Sequence, residues 1–459
     1  MSAEVILDRQ SSPRSTVSTA TGDLHRDART LAQLASIVEE LLELLPSRSM
    51  RTPDEQRRAD YLLAPARAAR RAFLATHVDA VYDVLTDNRS RHLRLGDLMF
   101  AAAERFPGLV PDRARMRAEA GLIQAERDGW EIDQAILCSA VLGSPVPGRH
   151  LIDAMLRPTV RSTSLAKDFR QTGRIELDSV RVERRGPAAH VTFHNPHCLN
   201  AEDNQLIADL ETAVDLVLLD PQVRVGVLRG GTVDHPRYQG RRVFSAGINL
   251  KSLRNGEISF VDFLLGRELG YLHKIWRGLL TDPETNTWVG RTVQKPWVGA
   301  VDTFAIGGGM QLLLVLDLVI ADTDAYFSLP AAAEGIVPGV GPLRLARITG
   351  PRLARQILLG GRRIDAAEAD GRLICDEVVP SSGMDTSIEK AVNDLAAPAV
   401  AANRRMLHLA EEPLDLYREY LAEFAVVQAT RAYSADVLAK VEQRWQRSHS
   451  AHRANGVPR

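Results

Sequence analysis

Cysteine is scarce in this sequence, with three residues in a chain of 459. Cys138, Cys198 and Cys375 are far apart in the chain, odd in number and without CxxC spacing. They therefore cannot form the disulfide framework of a small secreted domain or a cysteine-rich zinc site. We expect a protein of a reducing compartment.

Net charge and long apolar runs are also nearly absent. The formal net charge is −1, which gives no general attraction to nucleic acid or to an anionic membrane. The longest apolar run, residues 312–321, is interrupted by Asp317 and is about half of the ~20 residues that a membrane-spanning helix needs. The polar N-terminal segment lacks the apolar core of a signal peptide. These absences predict a cytoplasmic protein with neither a nucleic-acid nor a membrane partner.

Apolar residues are plentiful, at 45% of the chain, which is enough to build two or three domains. Residues 1–28 are polar and predict a flexible tail, whereas residues 29–175 carry apolar residues at three- and four-residue spacing and predict an all-helical domain. Residues 176–385 predict a core of α/β class, and residues 386–459 predict a C-terminal helical region with a polar end.

The helical spacing changes to alternation near Arg174, and the alternating residues predict a hairpin that turns at Gly186. Asn200 predicts a helix N-cap, with Glu202 in the first turn of the helix that follows. Further along, predicted strands at 223–229, 296–302 and 318–322 alternate with helices. Such alternation is typical of a mostly parallel sheet with crossover helices.

Small residues form a tight turn in VFSAGINLKSL, residues 243–253. The turn at Ser245, Ala246 and Gly247 would expose successive backbone N–H groups, which can bind a carbonyl oxygen that is gaining negative charge. An ordinary turn between a strand and a helix has the same composition, so this motif alone leaves both interpretations open.

Three consecutive glycines, residues 307–309, follow the apolar run WVGAVDTFAI and open a predicted helix. The first N–H groups of a helix have no internal partner and lie at the positive end of the helix dipole. Phosphate binding is one alternative, although the segment is neither GxxxxGK[ST] nor GxGxxG. Close helix packing without any ligand is another.

A third segment, residues 326–350, joins a strand and a proline to three alanines and a PGVG turn. By itself it is typical of a surface loop. Together and in this order, however, the three segments resemble the crotonase (enoyl-CoA hydratase/isomerase) superfamily over residues 180–382. The resemblance is carried by NPHCLNAE, FSAGINLK, KPWVGAVDTFAIGGGMQLLLVLDLVIADTDAYFSLP and the stretch that begins EGIVPGVG. It implies a ββα spiral core and homotrimers, often paired into hexamers.

The resemblance also implies how a coenzyme A thioester would bind. The N–H groups of Ile248 and Gly308 would hold the thioester oxygen and stabilise its enolate, and one such donor is typically worth about 3–4 kcal/mol in the transition state. The implied substrate contacts are Ser245, Ala246, Lys251 and Gly309, and Lys440 in the C-terminal helices.

The chain departs from the family at two positions where hydratases carry glutamates. Those positions are Gln311 and Ala331, and neither side chain can transfer a proton near neutral pH. Glu334 is the one acid left in that loop, and it is either a base or a structural residue.

One branch of the superfamily lacks both glutamates and has a long helical N-terminal domain. It comprises cofactor-independent dioxygenases that act on 3,5-dihydroxyphenylacetyl-CoA in the biosynthesis of vancomycin-type glycopeptide antibiotics. The resemblance to this branch implies that the thioester and O₂ are converted to 3,5-dihydroxyphenylglyoxylate and free CoA, through an enolate that reacts directly with O₂. We therefore expect neither a metal nor an organic cofactor.

The same resemblance implies roles for further residues. An O₂ pocket is expected at three apolar residues, Leu250, Ala331 and Ile336. Core packing explains the first and the last of them equally well. Gln311 would hydrogen-bond a ring hydroxyl without titrating. Glu202 and Arg267, on helices around the acyl pocket, would also bind the ring hydroxyls.

Other functions stay open on the sequence alone. One is an acyl-CoA hydrolase, lyase or isomerase that uses Glu334 or a water as its base, and another is an inactive relative that binds acyl-CoA. A metal-dependent oxygenase is a third, because His25 and Asp27 have the HxD spacing of an iron site and His194 and His197 flank a strand end. Neither pair has a third ligand at suitable spacing.

Overall fold

The computed structural model describes residues 20–281 and 292–443. Its N-terminal part is helical, as predicted. Seven helices follow one another there: α1 (Leu24–Glu43), α2 (Pro53–Leu85), α3 (Leu95–Arg105), α4 (Arg113–Ala120), α5 (Glu131–Gly143), α6 (Pro145–Met155) and α7 (Val160–Thr172). A capping box begins α2, in which Thr52 and Glu55 each accept a hydrogen bond from the other's backbone N–H.

The tail predicted over residues 1–28 extends too far, because α1 begins at Leu24. Asp23 caps this helix by accepting a hydrogen bond from the Arg26 N–H at 2.9 Å. Asp27 in the first turn contacts Nε2 of His77 at 2.7 Å. These two acids hold residues 24–28 in the helix, and residues 1–19 of the predicted tail lie outside the described part of the chain.

Twelve strands follow in the described residues: β1 (Arg174–Glu176), β2 (Val180–Arg185), β3 (Ala188–Phe193), β4 (Val225–Gly230), β5 (Leu279–Leu280), β6 (Thr292–Val293), β7 (Trp297–Val301), β8 (Phe304–Ile306), β9 (Leu318–Asp322), β10 (Tyr326–Ser328), β11 (Ile364–Asp365) and β12 (Glu377–Val379). The main sheet has the order β1-β2-β3-β4-β7-β9-β12. Its pairs from β3 to β12 are parallel, which confirms the predicted parallel sheet. The predicted hairpin is β2–β3, turning at Gly186.

The helices of the core and the C-terminal region complete the fold: α8 (Asn204–Leu219), α9 (Leu250–Arg254), α10 (residues 260–277), α11 (Gly308–Leu313), α12 (Ala331–Glu334), α13 (Gly341–Leu358), α14 (Met384–Leu395), α15 (Pro398–Glu411) and α16 (Leu414–Ala432). Residues 435–443 are also helical. The N-cap of α8 is Asp203, which accepts from the Leu206 N–H at 2.9 Å. The predicted N-cap at Asn200 was therefore wrong, and Glu202 lies in an extended segment before the helix.

Two large apolar clusters form the interior. One lies between the main sheet and α8, α10, α11 and α13. The other joins α2, α3, α5 and α6 to residues of α10 and α16. The predicted boundary near residue 175 therefore does not separate two independent cores, because the N-terminal helices pack around a C-terminal helix.

Within residues 20–281 and 292–443, no single helix is long and apolar enough to cross a bilayer. The pair Glu131–Gly143 and Pro145–Thr172 meets that requirement only jointly, and it is bent by 108° at its break.

Candidate active site

A cavity of about 490 Å³ lies between the 246–250 segment, α10, the start of α11, the 328–339 loop and α16. Most of the predicted site residues line it: Glu202, Ala246, Ile248, Leu250, Arg267, Gly308, Gln311, Ala331 and Ile336. Residues from distant parts of the sequence thus meet at one concave site, which is the usual form of a small-molecule site.

The two small-residue segments lie side by side at one end of this cavity. Ser245 and Ala305 form a parallel bridge, in which the N–H of Ile306 donates to the Ser245 carbonyl at 2.9 Å. A Cβ on Gly247 would lie 3.4 Å from the amide nitrogen of Gly308 and 2.9 Å from the Ile306 carbonyl oxygen. Gly247 also has a φ of 85°, in the left-handed region that favours glycine. The absent side chain therefore lets the segments approach each other.

The N–H groups of Ile248 and Gly308 are available to a ligand, since neither donates to another residue in the described ranges. Ile248 pairs with Glu202 in a parallel bridge whose two hydrogen bonds use the Gly247 carbonyl and the Asn249 N–H. Gly308 is the first residue of α11, where N–H groups have no intrahelical partner. The geometry suits a pair of donors to one oxygen.

Glu202 is buried beside these donors. Its Oε1 accepts from the Tyr271 hydroxyl at 3.1 Å and from Nε and Nη2 of Arg267 at 3.3 and 3.1 Å. A Cβ on Gly308 would lie 1.7 Å from Glu202 Oε2, so a larger residue at position 308 would displace this carboxylate. Burial raises the pKa of Tyr271 well above its ordinary value, which keeps that hydroxyl a hydrogen-bond donor.

Arg267 connects the parts of the site. Its Nη2 donates to the Gly308 carbonyl at 2.6 Å, and its Nη1 donates to Gln311 Oε1 at 3.1 Å and to Glu268 Oε1 at 2.9 Å. Burial opposes its charge, but the attraction of Glu202 and Glu268 and the hydrogen bond to Glu202 act with the other polar groups around it to outweigh burial and raise the pKa of Arg267. The guanidinium is therefore a fixed cation that joins α10 to α11.

Glu268 is a buried acid in the cavity wall that the sequence did not reveal as a site residue. Its Oε2 accepts from the Val340 N–H at 3.2 Å. Burial raises the pKa of Glu268 above its ordinary value. Its oxygen Oε1 also lies where a Cβ on Gly339 would come within 2.0 Å. In the sequence, only the adjacent charged residues Arg267 and Glu268 could have indicated this acid. That signal is weak, because a charged pair on a helix normally indicates a face exposed to solvent.

The α10 helix that carries these charges is irregular. Residues Phe260–Leu265 and Glu268–Leu272 have π-helical hydrogen bonding, and Gly270 has a non-helical ψ of −116°. Such segments inside helices are frequent at functional sites. Phe263 and Leu264 face the cavity one turn before the charged pair.

The three residues predicted to form the O₂ pocket lie together in the apolar part of the cavity wall. Leu250, Ala331 and Ile336 all line the cavity, together with Phe263 and Val337. Gln311 is the polar exception on α11. Its Oε1 accepts from Arg267, and its amide nitrogen donates to no residue in the described ranges, so the NH₂ group is left for a ligand.

The C-terminal helix α16 closes the cavity of its own chain through Phe424 and Gln428. Gln428 Oε1 accepts from the Val337 N–H at 2.8 Å, which ties α16 to the loop after α12. The sequence identified neither residue, because the cavity wall depends on how α16 packs and not on any local motif.

Four predicted substrate contacts are not in the cavity wall: Ser245, Gly309, Lys251 and Lys440. The Ser245 hydroxyl accepts from the Gly247 N–H at 3.0 Å, and Gly309 packs against that side chain. Lys251 is exposed. Lys440 lies 3.8 Å from Asp436, on a segment that α9 contacts through Arg254 and Glu442.

Two residue pairs were considered as metal ligands, His25 with Asp27 and His194 with His197, and in the described ranges neither is joined by further ligands. Asp27 is bonded to Thr21 and His77, in the first turn of α1. Within the described ranges, no group of three or more His, Cys, Asp and Glu residues is arranged to hold a metal ion.

Known proteins resemble this chain at two levels. Residues 183–430 match the family model described as Enoyl-CoA hydratase/isomerase. A (3,5-dihydroxyphenyl)acetyl-CoA 1,2-dioxygenase from Amycolatopsis orientalis is 56% identical over 415 residues, covering 90% of this chain and 95% of that protein. A carnitinyl-CoA dehydratase from Citrobacter koseri is 30% identical over 246 residues, covering 53% of this chain and 85% of that protein.

Among solved structures, an enoyl-CoA hydratase/isomerase from Pseudoalteromonas atlantica T6c aligns with 59% of this chain and 98% of its own, at 23% identity and a TM-score of 0.49. The family match spans the region that contains the parallel sheet, the two small-residue segments and the cavity wall. The chain therefore belongs to the enoyl-CoA hydratase/isomerase family.

Proposed function

We propose that this protein is a dioxygenase that converts 3,5-dihydroxyphenylacetyl-CoA and O₂ to 3,5-dihydroxyphenylglyoxylate and free CoA, without a metal or organic cofactor. The observation that carries the proposal is the 56% identity to a (3,5-dihydroxyphenyl)acetyl-CoA 1,2-dioxygenase, which extends over 95% of that protein. The cavity supports it, because its composition suits an enolate that must meet O₂.

The first requirement of this reaction is a stabilised enolate. The N–H groups of Ile248 and Gly308 would hold the thioester oxygen as it gains negative charge. The α-carbon of an arylacetyl thioester lies between a carbonyl and an electron-rich ring, so its hydrogen is unusually acidic. The fixed donors would lower the energy of the carbanion further.

The second requirement is a dry space in which O₂ meets that carbanion. The apolar wall at Leu250, Ala331 and Ile336 would provide it. The carbanion passes one electron to O₂, the radical pair combines to a peroxide, and the peroxide attacks the thioester carbonyl. Cleavage of the C–S bond releases the CoA thiolate, which takes up one proton, and cleavage of the O–O bond with loss of the second α-proton forms the keto group of the arylglyoxylate, so both oxygen atoms of O₂ enter the organic product.

The ring requires polar groups that do not compete for the α-proton. The NH₂ of Gln311 and the charged cluster of Glu202 and Arg267 would orient the ring hydroxyls. The cavity also supports a role for Ala246, which lies beside the carbonyl-binding end. The contacts proposed for Ser245, Lys251, Gly309 and Lys440 would involve the CoA part of the substrate, outside the cavity.

We also propose a homotrimer or hexamer that works in the cytoplasm in glycopeptide-antibiotic biosynthesis. The family resemblance supports the assembly, and so do three exposed apolar residues on α15, Met406, Leu407 and Leu409. Clustered exposed apolar residues often mark a protein interface.

Oxygen consumption by metal-depleted protein tests the function. Protein treated with a chelator is mixed with 3,5-dihydroxyphenylacetyl-CoA in an oxygen electrode, and free thiol is measured in parallel. We expect one O₂ consumed for each CoA released, and no thiol release under anaerobic conditions. Thiol release that is unchanged without O₂ would indicate a hydrolase. Tight binding of the thioester without turnover would indicate an inactive relative.

A further inference from the structure

We propose that Tyr420 and Arg431 of α16 are positioning residues that hold one wall of the O₂ space in place, and so decide whether the carbanion reacts with O₂ or with water. The proposal rests on the proposed function and deepens it. Neither residue lines the cavity, so each would act on the reaction only through the loop that it holds.

That loop, residues 335–340, joins α12 to α13 and carries part of the apolar wall. Ile336 and Val337 line the cavity, and the loop is neither helix nor strand. It turns at Gly335 and Gly339, whose φ values of 84° and 46° lie in the left-handed region. A segment without regular structure needs outside partners for its backbone polar groups, and those partners fix its position.

The helix α16 supplies such partners at both turns of the loop. The Tyr420 hydroxyl donates to the Gly339 carbonyl at 2.8 Å, and Nε of Arg431 donates to the Gly335 carbonyl at 2.6 Å. A Cβ on Gly335 would lie 3.1 Å from Nη2 of Arg431, so the guanidinium packs directly on this turn. Burial raises the pKa of Tyr420, so its hydroxyl keeps the proton that it donates.

The contacts follow the loop along one face of the helix. Positions 420, 424, 428 and 431 of α16 are three or four residues apart and therefore share a face. Between the two outer contacts, Gln428 accepts from the Val337 N–H at 2.8 Å. The loop position falls from 339 to 337 to 335 as the helix position rises from 420 to 428 to 431. The loop thus runs antiparallel to α16, which holds it along its length.

The end of the loop is also fixed to α10. Glu268 Oε2 accepts from the Val340 N–H at 3.2 Å. This anchor belongs to the charged cluster of the site, because Glu268 also accepts from Arg267. Tyr420 and Arg431 form no hydrogen bond with that cluster in the described ranges, so their replacement leaves its bonds in place.

The wall matters because the carbanion has two possible partners. With O₂ it proceeds to product. A water molecule would instead return a proton to the carbanion, re-form the α-C–H bond and leave hydroxide. A closed apolar site excludes water from such an intermediate. When the loop loses an anchor, Ile336 and Val337 move more freely and water gains access, so proton return should increase relative to oxygenation.

The partition of the carbanion between these two partners tests the proposal. Each protein is supplied with 3,5-dihydroxyphenylacetyl-CoA in D₂O at several O₂ concentrations, and deuterium in the recovered thioester is compared with O₂ consumed. We expect Tyr420→Phe and Arg431→Met each to raise the ratio of deuterium incorporated to O₂ consumed by about two- to tenfold, the effect of one lost hydrogen bond. The KM for O₂ should rise, while the KM for the thioester stays near the wild-type value.

Two further variants and one further measurement separate positioning from a general loss of structure. Tyr61→Phe, at a residue that is 62% exposed, should keep the wild-type ratio. Arg431→Lys keeps a donor for the Gly335 carbonyl and should restore most of the ratio. Hydrogen–deuterium exchange of the loop amides, measured by mass spectrometry on the protein alone, should be faster in Tyr420→Phe and Arg431→Met. This readout needs no turnover, so it tests the two anchors separately from the dioxygenase function.

An unchanged ratio in both Tyr420→Phe and Arg431→Met would overturn the proposal. An equal fall in O₂ uptake and deuterium incorporation, with the ratio unchanged, would do the same, because it indicates a structural role alone. Thiol release by the wild type without O₂ would contradict the dioxygenase function instead, and the loop amides would then decide on the anchors. The two variants alter opposite ends of the loop, so failure of one to fold leaves the other as the test.

Discussion

At the scale of single residues, Gln311 and Ala331 occupy the two positions where hydratases of the family carry glutamates, and both line the cavity. The acids of this site come from other elements. Glu202 precedes α8, and Glu268 lies on α10, where a single arginine pairs with both. The replacement at position 331 leaves an apolar surface beside the space proposed for O₂.

We expect Ala331→Glu to lower O₂ uptake by about tenfold or more, because a carboxyl group there can return a proton to the carbanion before O₂ reacts. Exchange of the α-hydrogen in D₂O should continue. Ala331 is 6% exposed, whereas the neighbouring Ala332 is exposed to solvent, so Ala332→Glu is the control. Oxygen uptake at the normal rate in Ala331→Glu would contradict this account.

At the scale of elements, the last turn of α4 contains a buried acid, Glu119, one of whose carboxylate oxygens has no hydrogen-bond partner in the described ranges. Glu119 Oε1 accepts from the Asp128 N–H at 2.7 Å, while its Oε2 has no hydrogen-bond partner among the described residues. Burial raises the pKa of Glu119 to about 7, against a weaker opposing effect of the Asp128 hydrogen bond. The folded state thus holds a proton that the unfolded state releases at lower pH.

This predicts a stability that depends on pH in a defined direction. The contribution of Glu119 is fully present below about pH 4.5, where both states are protonated, and it is lost as the pH rises through about 7. In Glu119→Gln, which cannot ionise, the unfolding free energy should fall less between pH 5 and pH 8. Between pH 5 and pH 8, the unfolding free energy of the wild type should fall by about 2–3 kcal/mol more than that of Glu119→Gln.

Urea unfolding of both proteins across that pH range measures the difference. Glu104→Gln, an exposed change of the same kind on α3, should keep the wild-type slope. Parallel curves for wild type and Glu119→Gln would show that the buried acid does not titrate in this window.

At the scale of the whole molecule, the N-terminal helices hold the elements that form the cavity. Glu131 of α5 accepts from the Phe260 N–H at the start of α10, at 2.8 Å. Its other oxygen accepts from the Tyr433 hydroxyl after α16, at 2.6 Å. One carboxylate therefore joins the N-terminal region, the helix that carries Arg267 and the end of the helix that carries Gln428.

Removal of one of these bonds should destabilise the whole chain. We expect Tyr433→Phe to lower the unfolding free energy by about 1–3 kcal/mol, because it leaves a buried carboxylate oxygen without its donor. Tyr61→Phe removes a hydroxyl from a residue that is 62% exposed and should have little effect. Equal stability of the two variants, measured by urea unfolding, would show that the bond to Glu131 contributes nothing.

The sequence by itself determined the elements whose signals are local. Alternation located the β2–β3 hairpin, a short apolar run located the strand Leu318–Asp322, and small residues located the two segments that contain Ile248 and Gly308. Most of the site residues predicted from the family resemblance line the cavity. These features follow from backbone geometry and apolar spacing within a few residues, so a linear pattern is enough to show them.

Only the tertiary structure decided how the charges of the site are arranged. Glu202 and Arg267 are 65 residues apart in sequence, and α16 joins the cavity from a still more distant part of the chain. A carboxylate becomes a buried partner, an unpaired base or a solvated surface group according to what packs on it. That outcome depends on desolvation by distant elements, which no local pattern in the sequence records.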